Sequence, residues 1–548
     1  MQKSTLTIGK RTLPVISTNT VIVGTGAASL NAAVQLDRNG VQDLVIVTEK
    51  IGGGTSNNTG SDKQTYYKLS LSGDGTDSTY EMAASLFDGG SMHGDIALIE
   101  ATLSAQSFYN LVSLGVPFPH NRYGGYVGYK TDHDPRQRAT SAGPKTSMLM
   151  FEALYREVQR RNLPIINDCE VIAILTNDDG SGRHCKGLLC LDKTKAHDEN
   201  QGLFLINATN VVFGTGGPAV IYKDSVYPEV HTGSSGIAYE AGVSGQNLTE
   251  WQYGLASTKF RWNVSGTYMQ VIPRFISTDQ DGNDEREFLN PFFDTMEKLT
   301  TDIFLKGYQW PFDPRKVQGY GSSIIDILVY NETVIKGRRV FLDFRRNPSN
   351  AGNDKLAPFS FEKLEAESFN YLKSSNALLE TPIERLQKMN PLAIDLYKEH
   401  DIDITVEPLE IAVCAQHNNG GLKGNIWWES DVRHFFPVGE VNGSHGVYRP
   451  GGSALNSGQC GSLRAAQFIA KRYQNAPADL QSFVKSVAQQ VEQRCAQIDA
   501  LLGHGGSKEQ LTAYRVTLQE RMTAYGAHIR DAAKISQALQ EARKQLAA

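Results

Sequence analysis

Cysteine is scarce in this sequence, and long apolar runs are absent. Six cysteines occur in 548 residues and none stands in a CxxC or CxxCH motif, which argues against iron–sulfur clusters and covalent haem. Disulfides are rare in the cytosol, so we expect the neighbouring Cys185 and Cys190 to be reduced. No segment approaches the roughly 18 apolar residues of a membrane span, and residues 1–20 lack the apolar core of a signal peptide. We expect a cytoplasmic chain with no direct membrane insertion and no metal site.

A strong charge of either sign is also missing. Lys and Arg total 54 against 59 Asp and Glu, a formal net charge of −5, and the two signs are mixed along the chain. Because no broad basic surface is available for a phosphate backbone, we expect no nucleic-acid partner. The hydrophobic content of 40% is that of a globular protein. At about 150 residues per domain, the length predicts three or four structural units.

Glycine is abundant, with 51 residues, and it gathers in turns. The first such turn follows a β-branched run at residues 20–23 and opens an apolar, helix-like segment that ends near Gly40. A second buried strand is predicted over residues 43–50. These three elements read as a β-α-β unit with the glycine-rich turn at the start of the helix.

That turn has the pattern of a dinucleotide-binding fingerprint. Gly24 and Gly26 occupy the first two glycine positions, and Ser29 stands in place of the third. Gly24 permits the tight turn, while Gly26 lets backbone amides approach a pyrophosphate at the positive helix N-terminus. Glu49, at the end of the next strand, is placed to accept hydrogen bonds from an adenosine ribose.

Three later segments extend this cofactor pattern. Residues 52–61, GGGTSNNTGS, place small and hydroxyl side chains directly after Glu49, where backbone amides can contact phosphate and isoalloxazine. Residues 213–217, FGTGG, form a second glycine turn after a buried strand. Residues 436–458 supply an acid, Glu440, and then a small-residue run that opens a helix. Such a helix N-terminus stabilises negative charge on a reduced flavin.

The remaining chain divides by composition. Residues 147–162 predict an amphipathic helix, and two β-rich runs follow near residues 169–175 and 187–192. Residues 225–336 are irregular, aromatic and proline-containing, which is typical of an inserted domain. From residue 465 onward the sequence is mostly helical and charged.

In this order, the motifs resemble the flavoprotein subunits of fumarate reductase and succinate dehydrogenase, a family that includes L-aspartate oxidase and the soluble fumarate reductases. The resemblance covers nearly the whole chain. The stretches that carry it are VIVGTGAASLNAAVQL, GGGTSNNTG, VVFGTGG, GIAYEAGVSGQNLTEWQYG, VFLDFRR, EPLEIAVCAQHNNGG, VGEVNGSHGVYRPGGSALNSG and LQERMTAYGAHIR. Several matches in one order are more specific than any single motif, and they imply FAD as the cofactor.

The resemblance implies an α/β fold with a Rossmann-like FAD-binding domain, an inserted α+β capping domain and a C-terminal helical region. We place the first segment of the FAD-binding domain at 1–230 and the capping, or substrate, domain at 231–345. The second FAD-binding segment is placed at 346–470 and the helical region at 471–548.

The residues that the resemblance assigns to FAD lie in the fingerprint, the acid-bearing segment, the second glycine turn and the final helix start. They are Gly24, Gly26, Ala28, Ser29, Glu49, Lys50, Gly53, Gly54, Thr55, Thr59, Gly60, Ser61, Val171, Gly214, Thr215, Gly216, Glu440, Gly452, Ser453, Ala454 and Leu455. Members from respiratory complexes bind FAD covalently through a histidine in the segment after the ribose acid. Residues 52–61 contain no histidine, so we expect non-covalent FAD.

The substrate half of the family site is only partly present. His417, in QHNNGG, matches the family histidine that contacts substrate, and Arg449 matches the arginine that clamps a carboxylate. A planar guanidinium suits this task because it donates two parallel hydrogen bonds to the carboxylate. The resemblance therefore gives His417 and Arg449 catalytic roles toward a small-molecule carboxylate.

Three family positions depart from the pattern. The histidine of Gln-Tyr-His-Pro becomes Gly254, and the following Thr-Glu pair falls near Thr267 and Tyr268. The arginine that donates a proton in fumarate reductases aligns near Ser322, and a serine cannot replace that cation.

These departures leave the proton donor unassigned and make fumarate itself a doubtful substrate. Arg274 and Arg286 are the cations that the inserted segment offers instead, although a surface ion pair is the ordinary role of each. An aromatic set either lines a pocket for a larger, less acidic molecule or packs in the core. Its members are Trp251, Tyr253, Tyr268, Trp427 and Trp428.

The sequence thus predicts an FAD-dependent oxidoreductase, most simply of the CH–CH class, that transfers hydride between flavin N5 and an unsaturated carboxylate. One alternative is an oxidase like L-aspartate oxidase that acts on an amino or hydroxy acid. Another is an electron-transferring flavoprotein subunit that depends on a partner protein. Substrate, reaction direction and electron partner stay open.

Overall fold

Two main β-sheets organise the chain in the computed structural model, which describes residues 1–73, 75–231 and 233–547. The strands, in chain order, are β1 (Gln2–Ile8), β2 (Arg11–Val23), β3 (Leu44–Val47), β4 (Tyr66–Tyr67), β5 (Ala139–Thr140), β6 (Ile165–Ile166), β7 (Cys169–Asp178), β8 (Arg183–Asp192), β9 (Leu203–Phe213), β10 (Gly245–Gln246), β11 (Trp251–Ser257), β12 (Trp262–Asn263), β13 (Arg274–Thr278), β14 (Arg339–Asp343), β15 (Leu409–Asn418), β16 (Gly421–Leu422) and β17 (Phe435–Pro437).

The α-helices connect and cover these strands. In chain order they are α1 (Ala27–Arg38), α2 (Thr55–Asn58), α3 (Thr79–Phe87), α4 (Gly94–Ser113), α5 (Thr146–Arg160), α6 (Ser235–Glu240), α7 (Thr267–Gln270), α8 (Met296–Leu305), α9 (Ile324–Tyr330), α10 (Ala366–Ser374), α11 (Pro382–Met389), α12 (Pro391–Lys398), α13 (Ser453–Arg472), α14 (Leu480–Gly503), α15 (Lys508–Tyr525) and α16 (Ala532–Ala547).

The larger sheet has eight strands in the order β6-β3-β2-β9-β8-β7, with β1 paired to β2 and β17 paired to β9. Strands β6, β3, β2, β9 and β17 are parallel, while β7 and β8 form an antiparallel hairpin on one side. All four residues of β3, LVIV, are buried, as expected for a parallel strand covered on both faces. The predicted β-α-β unit is present as β2-α1-β3, and β2 extends back to Arg11, further than predicted.

Helices α1 and α13 pack together on this sheet, and they bring two distant parts of the chain into one layer. Ser462 Oγ donates a hydrogen bond to the Ala28 carbonyl at 2.7 Å, and Asn31 Nδ2 donates one to the Gln459 carbonyl at 3.1 Å. This contact places the start of α13 beside the start of α1. Residues separated by more than 400 positions therefore share one edge of the sheet.

The smaller sheet has five antiparallel strands in the order β12-β11-β15-β14-β13. We call this sheet and the helices α7–α12 the five-stranded unit. Its apolar core draws on residues between Ala219 and Ala415 and on Ala527. Its central strand is β15, which the sequence-based bounds placed in the second FAD-binding segment, and we propose that the inserted unit extends to Asn418.

The C-terminal region is helical. The apolar side of α14 packs on the eight-stranded sheet through Phe483, Val487 and Val491. Helix α16 buries none of its described residues. No helix in the described ranges is both long and apolar enough to cross a lipid bilayer. All six cysteines are buried free thiols.

Candidate active site

A cavity of about 1450 Å³ lies between the eight-stranded sheet and the five-stranded unit. Ligand pockets commonly have volumes of about 300–1,000 Å³, so this one has room for a large cofactor and a small substrate together. The carboxyl ends of parallel strands β2, β3 and β9 open into it. All the residues predicted for cofactor and substrate line its wall except Ser29 and Ser453.

The first glycine turn is shaped by a close approach between two loops. Gly24 has φ of +95°, and a Cβ added to it would stand 2.7 Å from the Gly214 carbonyl oxygen. Ser29, expected to bind the cofactor, instead donates through Oγ to the carbonyls of Val23 and Gly214 at 3.1 Å each. These hydrogen bonds link the two glycine turns, and they point the hydroxyl into the protein and not into the cavity.

Two long helices begin at the cavity without a capping side chain. Gly26 precedes α1 and Gly452 precedes α13. The Ala27 amide donates to Ser56 Oγ at 3.1 Å, and the amides that follow at each helix start are available to an anionic or carbonyl-bearing ligand. The sequence also predicts that Ser453 binds the cofactor, but this residue is fully buried and does not line the cavity.

The acid at the end of β3 faces the same cavity. Glu49 forms an exposed ion pair with Lys193, whose Nζ lies 3.0 Å from Oε1. Two glycine turns, two helix starts and this acid match the donors and acceptors of a dinucleotide, so the residues present fit FAD. The role of the Glu49 carboxylate toward a ribose diol stays a prediction.

His231 is a cavity residue that no sequence motif indicated. Its Nδ1 lies 2.9 Å from Thr55 Oγ1, and its ring fills the space beside Gly216, where a Cβ would lie 2.5 Å from Cε1. Burial lowers the pKa of His231 to about 4, so the imidazole is neutral. It contacts the predicted flavin segment although residues 52–61 contain no histidine.

Arg449 is the buried cation of the cavity. Its side chain is nearly inaccessible, its Nε has no hydrogen-bond partner among the described residues, and its Nη1 makes one long contact of 3.4 Å to the Pro450 carbonyl. Burial lowers the pKa of Arg449 to about 10, which still leaves it charged at neutral pH. A buried guanidinium without a carboxylate against it is costly unless a ligand supplies one.

His417 lies on β15 opposite Gln252 of β11. Its Nδ1 is 3.0 Å from Asn419 Oδ1, and Asn419 Nδ2 donates to the carbonyl of Gly446 at 3.0 Å. This arrangement assigns the imidazole proton to Nδ1 and leaves Nε2 with a lone pair. Within the described ranges, Nε2 has no hydrogen-bond partner. The neutral ring therefore carries a hydrogen-bond acceptor at Nε2, and not a donor.

The charges around His417 keep it neutral. Burial, followed by the Arg449 charge and His445, lowers the pKa of His417 well below its ordinary value. His445, whose ring centroid is 5.5 Å away, has its pKa lowered in the same way. Burial raises the pKa of Glu440 to about 7 even though its carboxylate accepts the Asn418 amide at 2.9 Å. Arg449 is thus the fixed charge of this group.

A second buried acid lies near the arginine, outside the cavity wall. Glu100 on α4 is fully buried, and burial raises its pKa to about 8. The hydroxyls of Ser457 and Ser444 approach it, and the Arg449 charge favours its ionised form. Neither carboxyl oxygen has a close hydrogen-bond partner among the residues described. The sequence did not indicate this residue, because a single glutamate on an amphipathic helix is normally a surface residue.

The family positions that depart from the pattern now have structural explanations. At Gly254, a Cβ would lie 2.4 Å from Cζ2 of Trp310, so the indole ring takes the space of the missing side chain. Ser322 donates to Gln309 Oε1 at 2.8 Å. Trp310 and Gln309 both line the cavity, whereas Ser322 does not.

The other candidates from the inserted segment lie elsewhere. Arg274 is ion-paired with Glu287 at 2.7 Å and Arg286 with Asp284 at 2.6 Å, and neither arginine lines the cavity. The predicted aromatic set also lies outside the cavity wall: Tyr253, Tyr268 and Trp428 are buried in the core, whereas Trp251 and Trp427 are half-buried. Tyr268, for example, is fully buried and donates to the Ala393 carbonyl at 2.9 Å. The aromatic residues of the wall are Tyr129, Tyr308, Trp310 and Tyr371.

Comparison with known proteins agrees with this geometry. Residues 19–284 match the family model described as an FAD binding domain. The chain is 22% identical over 460 residues to an L-aspartate oxidase of Streptomyces coelicolor, covering 83% of this chain and 69% of that protein. It is 23% identical over 361 residues to one component of the fumarate reductase (CoM/CoB) of Methanothermobacter marburgensis, covering 65% of this chain and 54% of that protein.

Solved structures show the same fold. A variant of FrdA from E. coli quinol fumarate reductase superposes with a TM-score of 0.69 at 17% identity, over 97% of this chain and 82% of that one. Sdh1 of Mycobacterium smegmatis gives a TM-score of 0.70 at 16% identity, over 97% and 80%. The sequence match spans little more than half of the methanogen relative, and of a Synechocystis L-aspartate oxidase it spans 53%. FAD is the cofactor that these matches indicate.

Proposed function

We propose that this chain, an FAD-dependent oxidoreductase of the fumarate reductase and succinate dehydrogenase flavoprotein type, transfers hydride between FAD and a small carboxylate that is not fumarate. The observation that carries the proposal is the buried guanidinium of Arg449, which lines the cavity with its Nε unpartnered among the described residues. When bound, FAD supplies the hydride acceptor or donor at N5. The protein's residues bind and orient the substrate.

Arg449 is proposed to clamp the substrate carboxylate. In a buried site an arginine–carboxylate pair gains from low dielectric and from two parallel hydrogen bonds. The neutral rings of His417 and His445 support this role, because they leave Arg449 as the fixed positive charge among the three. The N-terminus of α13 has no capping side chain, and its helix dipole is proposed to stabilise the negative charge of the same carboxylate.

FAD is proposed to be held without a covalent bond. The observation that supports this is that residues 52–61 contain no histidine. The two glycine turns at Gly24 and Gly214 and the two helix starts offer backbone donors enough to hold a dinucleotide.

The tautomer of His417 favours a second candidate function. His417 lines the cavity, and its buried Nε2, 4.0 Å from Glu440 Oε1, carries a lone pair. We propose that this lone pair accepts an N–H or O–H of a 2-amino or 2-hydroxy acid held by Arg449. Such a proton acceptor suits oxidation of the substrate by FAD. An oxidase of amino or hydroxy acids is therefore the alternative to an enoate reductase.

One experiment separates the two functions. The purified holoenzyme is reduced anaerobically, and flavin absorbance is followed as fumarate and then other 2-enoates are added. Return of the oxidised spectrum with an enoate other than fumarate supports the reductase. Bleaching of the oxidised enzyme by an amino or hydroxy acid, followed by recovery in air, supports the oxidase. If no carboxylate changes either spectrum, the proposed function is wrong.

A further inference from the structure

The part of the cavity wall that belongs to the five-stranded unit carries three aromatic side chains, Tyr308, Trp310 and Tyr371, among mostly uncharged polar ones. Trp310 presents its indole at the position where Gly254 leaves space, and Gln309 lies next to it. Tyr308 and Tyr371 flank the same stretch, each packed edge-to-face against the buried ring of Phe304. Two positions that depart from the family pattern therefore contact this wall: Gly254 lies against Trp310, and Ser322 donates a hydrogen bond to Gln309.

This wall is fixed in place by hydrogen bonds. Trp310 Nε1 donates to the Leu255 carbonyl at 2.8 Å. The buried ammonium of Lys306 donates to the carbonyls of Gln309 and Trp310 at 3.0 and 2.7 Å, and it is paired with the buried Asp326 at 2.8 Å. A rigid, pre-formed aromatic surface binds a planar group at little cost in side-chain entropy.

The wall offers no cation to a second carboxylate. Among the described residues 233–418 that line the cavity, none is lysine or arginine. The acid on this stretch is Glu367, which accepts a hydrogen bond from Tyr308. The cavity lysines Lys50, Lys63 and Lys130 come from the first 150 residues and are exposed to solvent.

From this arrangement we infer that the substrate carries one carboxylate, held by Arg449, and an uncharged planar tail, such as an aromatic ring, that stacks on Trp310. The inference rests on the proposed carboxylate clamp but not on the reaction direction, because either an aryl-substituted enoate or an aromatic 2-amino or 2-hydroxy acid meets it. A dicarboxylate leaves its second charge beside an indole and a glutamine amide, where its loss of hydration is uncompensated. A ring gains the apolar contact and stacking that the wall offers.

Binding to the oxidised holoenzyme tests the inference without turnover. 4-Hydroxycinnamate, acrylate and fumarate are titrated in turn, and Kd is read from the perturbation of flavin absorbance. We expect 4-hydroxycinnamate to bind at least about tenfold more tightly than fumarate or acrylate. Equal or tighter binding of fumarate overturns the inference and leaves the proposed carboxylate clamp standing. Failure of all three to bind overturns both.

Variants locate the preference on the wall. Trp310→Ala should reduce the ratio between the Kd values of fumarate and 4-hydroxycinnamate to near one. Trp251→Ala, a matched change of a tryptophan outside the cavity, should keep the wild-type ratio. Arg449→Ala should weaken every carboxylate, which distinguishes loss of the clamp from loss of the ring contact. Retained flavin verifies that the Trp310→Ala protein is folded. If its ratio of Kd values for fumarate and 4-hydroxycinnamate is unchanged, the inference is wrong.

Discussion

The indole of Trp310 occupies the space into which a side chain at position 254 would project, with Cζ2 only 2.4 Å from the place of the absent Cβ. The glycine and the tryptophan therefore depend on each other. A histidine cannot return to position 254 while the indole stays, and the wall cannot keep its aromatic surface if that position is filled.

Gly254→Ala should destabilise the holoenzyme by about 1–3 kcal/mol, because the added methyl group overpacks against a ring that hydrogen bonds hold in place. Urea unfolding of the variant measures the effect. Gly236→Ala is the control, since a Cβ at this helical glycine meets nothing within 4 Å and alanine is the better helix former. A Gly254→Ala/Trp310→Ala double variant should be less destabilised than the sum of the two single changes, and strict additivity would argue against the contact.

Gly24→Ala should abolish FAD binding. Gly24 has a positive φ that alanine rarely adopts, and the added Cβ would lie 2.7 Å from the Gly214 carbonyl oxygen. The turn that admits the pyrophosphate must therefore open. Gly40→Ala, at the other end of the same helix, has a similar φ of +87° and nothing within 4 Å. It should retain FAD at a modest cost in stability. The flavin-to-protein absorbance ratio of the purified variants measures FAD retention. We expect the wild-type ratio for Gly40→Ala and a ratio near zero for Gly24→Ala.

Arg449→Ala should cost about 2–5 kcal/mol in kcat/KM for whichever carboxylate is turned over, because a desolvated carboxylate then lacks its partner. Arg449→Lys should recover only part of the loss, since the ammonium cannot donate in a planar pair. Arg464→Ala, which removes an arginine of α13 stacked on Trp427 at 3.6 Å, should leave kcat/KM unchanged. Wild-type turnover in Arg449→Ala would exclude the clamp.

Glu100 should make the protein less stable as pH rises. Its pKa of about 8 in the folded state lies above its ordinary value of 4.5. The unfolded chain therefore binds fewer protons than the folded one between these two values, and the free energy of unfolding falls as pH rises across that range.

Glu100→Gln removes this pH-dependent contribution. The stability difference between variant and wild type should shift in favour of the variant by about 5 kcal/mol between acid and a pH above the folded-state pKa. Urea unfolding of both proteins at several pH values measures the change. Parallel curves would show that the Glu100 carboxyl keeps an ordinary pKa in the fold.

Acid precipitation should release the flavin into the supernatant, and the denatured polypeptide should show no flavin fluorescence on a gel. The reason is that the segment after Glu49, residues 52–61, carries no histidine. The intact mass of the denatured chain provides a second readout. A mass increase by one FAD would overturn the non-covalent proposal, and comparison with His231→Ala would then show whether that ring is the point of attachment.

Much of the fold could be predicted because its signals are local. The run of buried residues in β3 and the glycine turn before α1 lie within 30 positions of each other, and parallel buried strands are recognised by continuous apolar runs. The resemblance placed Arg449 and His417 in one cavity although they come from different elements. These positions carry rare residue types next to glycine-rich turns, which is why sequence reasoning reached them.

The rest depended on tertiary contacts that no local pattern encodes. Trp310 enters the wall because β11 has a glycine against it, a contact between residues 254 and 310 that depends on space and not on periodicity. The fingerprint predicts Ser29 as a cofactor ligand, yet its hydroxyl bonds two carbonyls of the protein. The tautomer of His417 is set by Asn419, which the motif gave no reason to single out.

The packing of α1 against α13 also bears on the order in which the protein can be made. A ribosome that has released the chain only as far as residue 420 has already supplied both glycine turns and the central strands of both sheets. It has not yet supplied β17, the acid at 440, the arginine at 449 or the helix that covers α1. The cavity wall that residues 438–459 contribute, and the α13 cover on α1, can therefore be in place only after this stretch has emerged from the ribosome.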